Sequence, residues 1–140
     1  MPPAPLRTTL RYLLAAAYLA AGVIHILAPA PFVAITPDWV PHPREVVLIT
    51  GVCEIAGSLA LLTPNARLRR LAGILLALYA VCVFPANIKH ALDYIEYGKG
   101  ALTLWYHVPR LMFQPVIVWG CLFAGCAIDW PFRRRSSRNG

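Results

Sequence analysis

The chain has 140 residues, of which 59% are hydrophobic and only 14% charged, whereas soluble domains carry about 25% charged residues. That balance excludes an ordinary soluble enzyme or binding domain and indicates a small integral membrane protein of one domain. The net charge of +7 does not mark a nucleic-acid partner, because most Lys and Arg flank the apolar blocks, where they would set membrane topology.

Residues 1–9 form a short tail with Pro2, Pro3 and Pro5, expected on the cytoplasmic side. The first apolar block runs over 10–28, between Arg7 and Arg11 on one side and Pro29 and Pro31 on the other. About 19 residues at 1.5 Å rise span roughly 28 Å, close to the hydrocarbon thickness. A cleaved signal peptide is the competing reading, since Ala28-Pro29-Ala30 loosely resembles a cleavage site. The block is long for that purpose, and His25 is unusual within one.

Pro29–Glu45 holds Pro29, Pro31, Pro37, Pro41 and Pro43, which forbid a continuous helix. Phe32 and Trp39 suggest a segment at the membrane interface. A second helix is expected over 44–62, ended by Thr63-Pro64-Asn65. A third is expected over 68–87, with an extension to Tyr97 that carries Lys89, Asp93 and Glu96 on one face. Gly98-Lys99-Gly100 should break it. Trp105, Tyr106 and His107 read as an interfacial belt before a fourth helix over 109–129. Trp130 and Phe132 mark the other interface, and residues 130–140 form a basic tail.

The N-terminus, the middle turn and the C-terminus hold nine of the thirteen Lys and Arg. The positive-inside rule then puts both termini in the cytoplasm, which four spans satisfy and three or five do not. The expected class is an all-α, integral membrane four-helix bundle.

Five polar residues interrupt or border these blocks: His25, Glu54, Asn87, Arg110 and Gln114. All fall in the outer half of their helices. Glu54 is deepest, roughly 12 Å from the start of its span. A carboxylate at that depth costs about 2.5–3.5 kcal/mol on insertion scales, so it should face the bundle interior and have a partner. Helical phase supports convergence. Tyr18, Gly22 and His25 share a face, as do Thr50, Glu54, Gly57/Ser58 and Leu61. So do Gly73, Ala77, Ala80 and Asn87, and Gln114, Val118, Cys121 and Gly125. Each polar residue lies on the small-residue side, where membrane helices pack. His25 and Arg110 are the two candidate partners of Glu54.

Cys53, Cys82, Cys121 and Cys126 contain no C-x-x-C pair. They read as small hydrophobes, with only Cys121 on a packing face. His25, His42, His90 and His107 lack ligand spacing, so no metal site is expected.

Several pieces carry a family resemblance. They are His25-x-x-x-Pro29 with Pro31-Phe32, the Pro37-Asp38-Trp39-Val40-Pro41 loop, and Thr50-Gly51-Val52-Cys53-Glu54-Ile55. Pro64 with Arg67, Phe84-Pro85-Ala86-Asn87-Ile88, Arg110-Leu111-x-x-Gln114-Pro115 and Trp119 complete the set. In order and spacing they resemble the DoxX-like family of four-helix membrane proteins, from about Leu10 to Ile128. The resemblance implies a bacterial inner-membrane protein associated with membrane redox systems, since the family name comes from a subunit of a thiosulfate:quinone oxidoreductase. The expected function is binding of a small apolar ligand, such as a quinone, at His25, Glu54, Asn87, Arg110 and Gln114, with a membrane or redox protein as partner. A structural or accessory membrane protein is the first alternative, and an acid/base enzyme acting on a lipid the second.

Overall fold

A computed structural model describes residues 4–98 and 104–132. Their regular structure is entirely helical: α1 (Ala4–Leu27), α2 (Ala30–Ile35), α3 (Pro43–Leu62), α4 (Ala66–Cys82), α5 (Phe84–Tyr97) and α6 (Leu104–Ala124). Three stretches are long and apolar enough to cross a membrane: Pro5–Leu27, Pro43–Leu62 and Ala66–Tyr97. The chain is a multi-pass membrane protein. Its exposed Leu13, Ile49 and Leu78 are the outward apolar surface that lipid requires.

The boundaries depart from the sequence expectation where proline was given too much weight. Residues 4–9 are helical rather than a tail, because Pro5 sits in a first turn that needs no N–H from it. Pro29 and Pro31 likewise begin α2 within the expected loop. Asn65 caps α4, its side chain accepting from the Arg67 and Leu68 amides at 3.0 and 3.1 Å, so that helix starts at Ala66. It stops at Cys82 instead of reaching Asn87. Pro85 cannot donate to the preceding turn, and Val83 forms the joint between α4 and α5. The last helix starts before 109, carries Pro109 and Pro115 inside it, and ends at Ala124 rather than 129. Cys126, at φ 62°, turns the chain there. Residues 1–3, Lys99, Gly100 and the arginines of the C-terminal tail lie outside the described residues.

The helices pack as two pairs. In the first, α1 runs antiparallel to α3 in the most extensive helix contact of the fold. A methyl on Gly22 would come within 2.6 Å of the Gly51 carbonyl oxygen, and one on Gly51 within 2.9 Å of the Gly22 carbonyl oxygen. In the second pair, α4 and α5 pack on α6. A methyl on Gly73 would meet the Cys121 carbonyl oxygen at 2.6 Å. Small residues let membrane helices approach this closely.

The pairs join at the end that carries Arg7, Arg11 and Arg69. Arg11 Nε donates to the Ala124 carbonyl at 3.1 Å, and Arg7 pairs with Asp129 at 2.7 Å. Ala15, Tyr18, Leu61, Ala72, Leu76, Ala77 and Cys121 form the core between them.

Gly22→Ala should therefore destabilise the fold by about 1–3 kcal/mol, the usual range for overpacking. Gly120→Ala is the control, since its methyl would meet Leu14 at an ordinary 3.5 Å. Reversible unfolding in detergent micelles checks both; equal stability of the two variants would contradict the packing described.

Candidate functional site

The two glycines of the first pair also position its polar residues. His25 Cβ lies over Gly51, and Glu54 Cβ lies over Gly22. Each glycine makes room for the polar residue of the other helix. His25 Nδ1 stands 2.6 Å from Glu54 Oε2, a charge-assisted distance. One proton is shared across this contact: an ionised carboxylate would accept it from His25 Nδ1, and a protonated one would donate it to the ring. The Glu54 side chain is 4% exposed and that of His25 12%, so the contact is shielded from water. The Phe32 ring, from α2, packs over His25 with centroids 4.0 Å apart.

The second pair builds the opposite wall. The α4–α5 joint turns Asn87 inward, where its Nδ2 donates to Gln114 Oε1 at 3.3 Å. Gln114 Nε2 donates in turn to the Ala80 carbonyl. Arg110, one turn before Gln114, donates from Nη2 to Asn87 Oδ1 at 2.5 Å and from Nη1 to His90 Nδ1 at 3.1 Å. Arg110 therefore does not take the place expected for it beside Glu54. It belongs to the other helix pair, and a cavity separates the two.

That cavity has a volume of about 450 Å³. His25, Glu54, Asn87, Arg110 and Gln114 all line it, so the structure brings the five expected residues to one space. Phe32 and Ile35 from α2, and Thr36, Trp39 and Val40 from the segment after it, line it as well.

Sequence reasoning missed Tyr79, which lines the cavity with its hydroxyl beside Glu54 and Thr50. A buried tyrosine hydroxyl normally finds a polar partner, and that rule applied to a lone Tyr in an apolar span would have drawn it in. Cys82 was expected to point away from the polar residues; it is an exposed residue of the cavity wall, because the joint at Val83 changes the helical phase.

His107 was read as part of an interfacial belt. Trp105 is 89% exposed, but His107 is 1% exposed and packs among the rings of His90, Tyr94 and Tyr106. Among the described residues neither of its ring nitrogens has a hydrogen-bond partner. Among the described residues no group of His, Cys, Asp and Glu has the geometry to hold a metal ion.

Residues 14–124 match a protein family described as a domain of unknown function, DUF8561. The chain belongs to that family. The matched DUF8561 region contains all five polar residues and the whole of α2, so the cavity lies within the family's shared segment. No curated protein and no solved structure matches the chain.

Combining Glu54→Gln with His25→Ala should reveal a coupling of about 0.5–3 kcal/mol in a double-mutant cycle on unfolding, as for groups in direct contact. Glu54→Gln combined with Arg110→Gln should be closer to additive. Additivity of the first cycle would remove the pairing.

Proposed function

We propose that this protein binds a small apolar molecule bearing hydrogen-bonding oxygens, such as a quinone, between its two helix pairs. The observation that carries the reading is the cavity itself. It falls within the range of about 300–1,000 Å³ typical of small-molecule sites, and like them it combines apolar lining with a few convergent polar groups. Glu54 and His25 stand on one wall, as a pair able to hold or pass a proton. Arg110, Asn87 and Gln114 stand on the other, as donors for a ligand oxygen.

The reading includes a fourth span. At 21 residues, α6 reaches about 32 Å, enough to cross. His107, Arg110 and Gln114 lower its hydropathy, yet His107 and Gln114 are buried, while Val108, Met112, Phe113 and Val116 face outward. Four spans place Arg7, Arg11, Arg67, Arg69 and Arg70 at one end, which the positive-inside rule assigns to the cytoplasm together with both termini. A bacterial inner membrane and a place beside a membrane redox protein follow from the DoxX-like resemblance.

A second reading has its own support. Each polar member of the cluster already has a hydrogen-bond partner within it, which is what a bundle uses to hold helix register. Native mass spectrometry from mild detergent separates the two. Under the binding reading the wild type carries a quinone-sized or lipid-sized adduct, and Glu54→Gln loses it while the protein still folds. A wild type without adduct, together with a strongly destabilised Glu54→Gln, would favour the structural role.

A further inference from the structure

The geometry points to a ligand with a hydrocarbon tail: the cavity takes an amphiphile whose polar head meets the five-residue cluster and whose chain leaves sideways, between the helix pairs, into the bilayer. This rests on the binding reading above and adds the shape of the occupant and its route.

The contacts that join the two pairs lie toward the arginine end. Gly120 faces Leu10 and Leu14, Gly57 faces Leu76, and Cys121 Sγ reaches the Tyr18 hydroxyl at 3.6 Å. Tyr79, beside Glu54, crosses between the pairs at the level of the cluster. Beyond it the polar side chains bond within their own pair, His25 to Glu54 and Arg110 to Asn87. The cavity is the space left where the pairs part.

Its borders differ in kind. Over the cluster end lie α2, which packs on α3 and α5 and places Phe32 on His25, and the loop after it, whose Trp39 and Val40 line the cavity. The sides are not covered in that way. Ala17 on α1 and Cys82 at the end of α4 both line the cavity and are exposed at the surface. Both lie within membrane-spanning helices, and neither carries charge. Trp39 at the cluster end lines the cavity and is exposed as well, but a compact water-soluble ligand entering there would leave the apolar flanks unfilled. A chain that prefers lipid matches those flanks, and each buried methylene adds favourable transfer energy. A head with oxygen acceptors matches Arg110 and the His25–Glu54 pair.

The test uses the full chain in lipid nanodiscs and a benzoquinone carrying an alkyl chain with a diazirine at mid-chain. After photolysis, peptide mapping locates the chain. Label near Ala17 and Ala21 or near Cys82, competed by an unlabelled long-chain quinone but not by the chainless ring, is the expected result. Ala17→Trp with Cys82→Trp should abolish that competed label, while Leu78→Trp on the lipid-facing surface should keep it. Equal competition by the chainless ring, or label confined to Ile35 and Trp39, would overturn the tail and the lateral route while leaving the binding reading intact. Absence of any competed label would overturn both.

Discussion

The close approach of α1 and α3 at Gly22 and Gly51 is the constraint on which the rest of the molecule depends. With any side chain at either position, backbone oxygen would be met inside van der Waals contact, and the helices would have to separate. Separation would pull His25 away from Glu54 and leave a carboxylate in the apolar interior without its partner. The cost of an unpaired charge at that depth is several times that of a lost packing contact. The small residues thus act chiefly through the polar ones they bring together.

The second helix pair uses a different device for a similar end. Among the described residues no glycine makes room for Asn87. The joint at Val83, imposed by Pro85, breaks the regular phase of the helix and turns the next segment so that Asn87 and His90 both reach Arg110. The guanidinium is then held on one wall by neutral acceptors, while the carboxylate on the other wall is held by an imidazole. Arg110 and Glu54 are kept apart, and the space between them is the cavity. A direct Arg110–Glu54 ion pair would have drawn the two walls together.

Much of this was legible beforehand. The shared faces of Gly73, Ala77 and Ala80, and of Glu54, Ser58 and Leu61, are buried as phase alone requires. The arithmetic is simple: 3.6 residues per turn fixes which residues share a face once the segment is helical. Proline was the weak point of the reading. Pro5 was assigned to a tail, Pro29 and Pro31 to a loop and Pro109 to a helix start, yet each begins or sits within a helix, because first turns need no donor and neighbouring helices in a membrane tolerate interruptions. Tyr79 was passed over and His107 was assigned to an interface for another reason. Aromatic polar residues are usual both in interfaces and in cores, and His107 directly follows Trp105 and Tyr106.

Composition and periodicity by themselves determined that the chain is a helical membrane protein, which face of each span turns inward, and which polar residues lie at one level. These follow from transfer energies and helical geometry, both local to a segment. Tertiary structure alone decided which residues pair: His25 with Glu54, Arg110 with Asn87 and His90, and Tyr79 beside the carboxylate. Pairing depends on how far apart the helices stand and in what order they neighbour one another. Those distances are set by contacts between glycines and carbonyls remote in sequence, and no periodicity along a single helix encodes them.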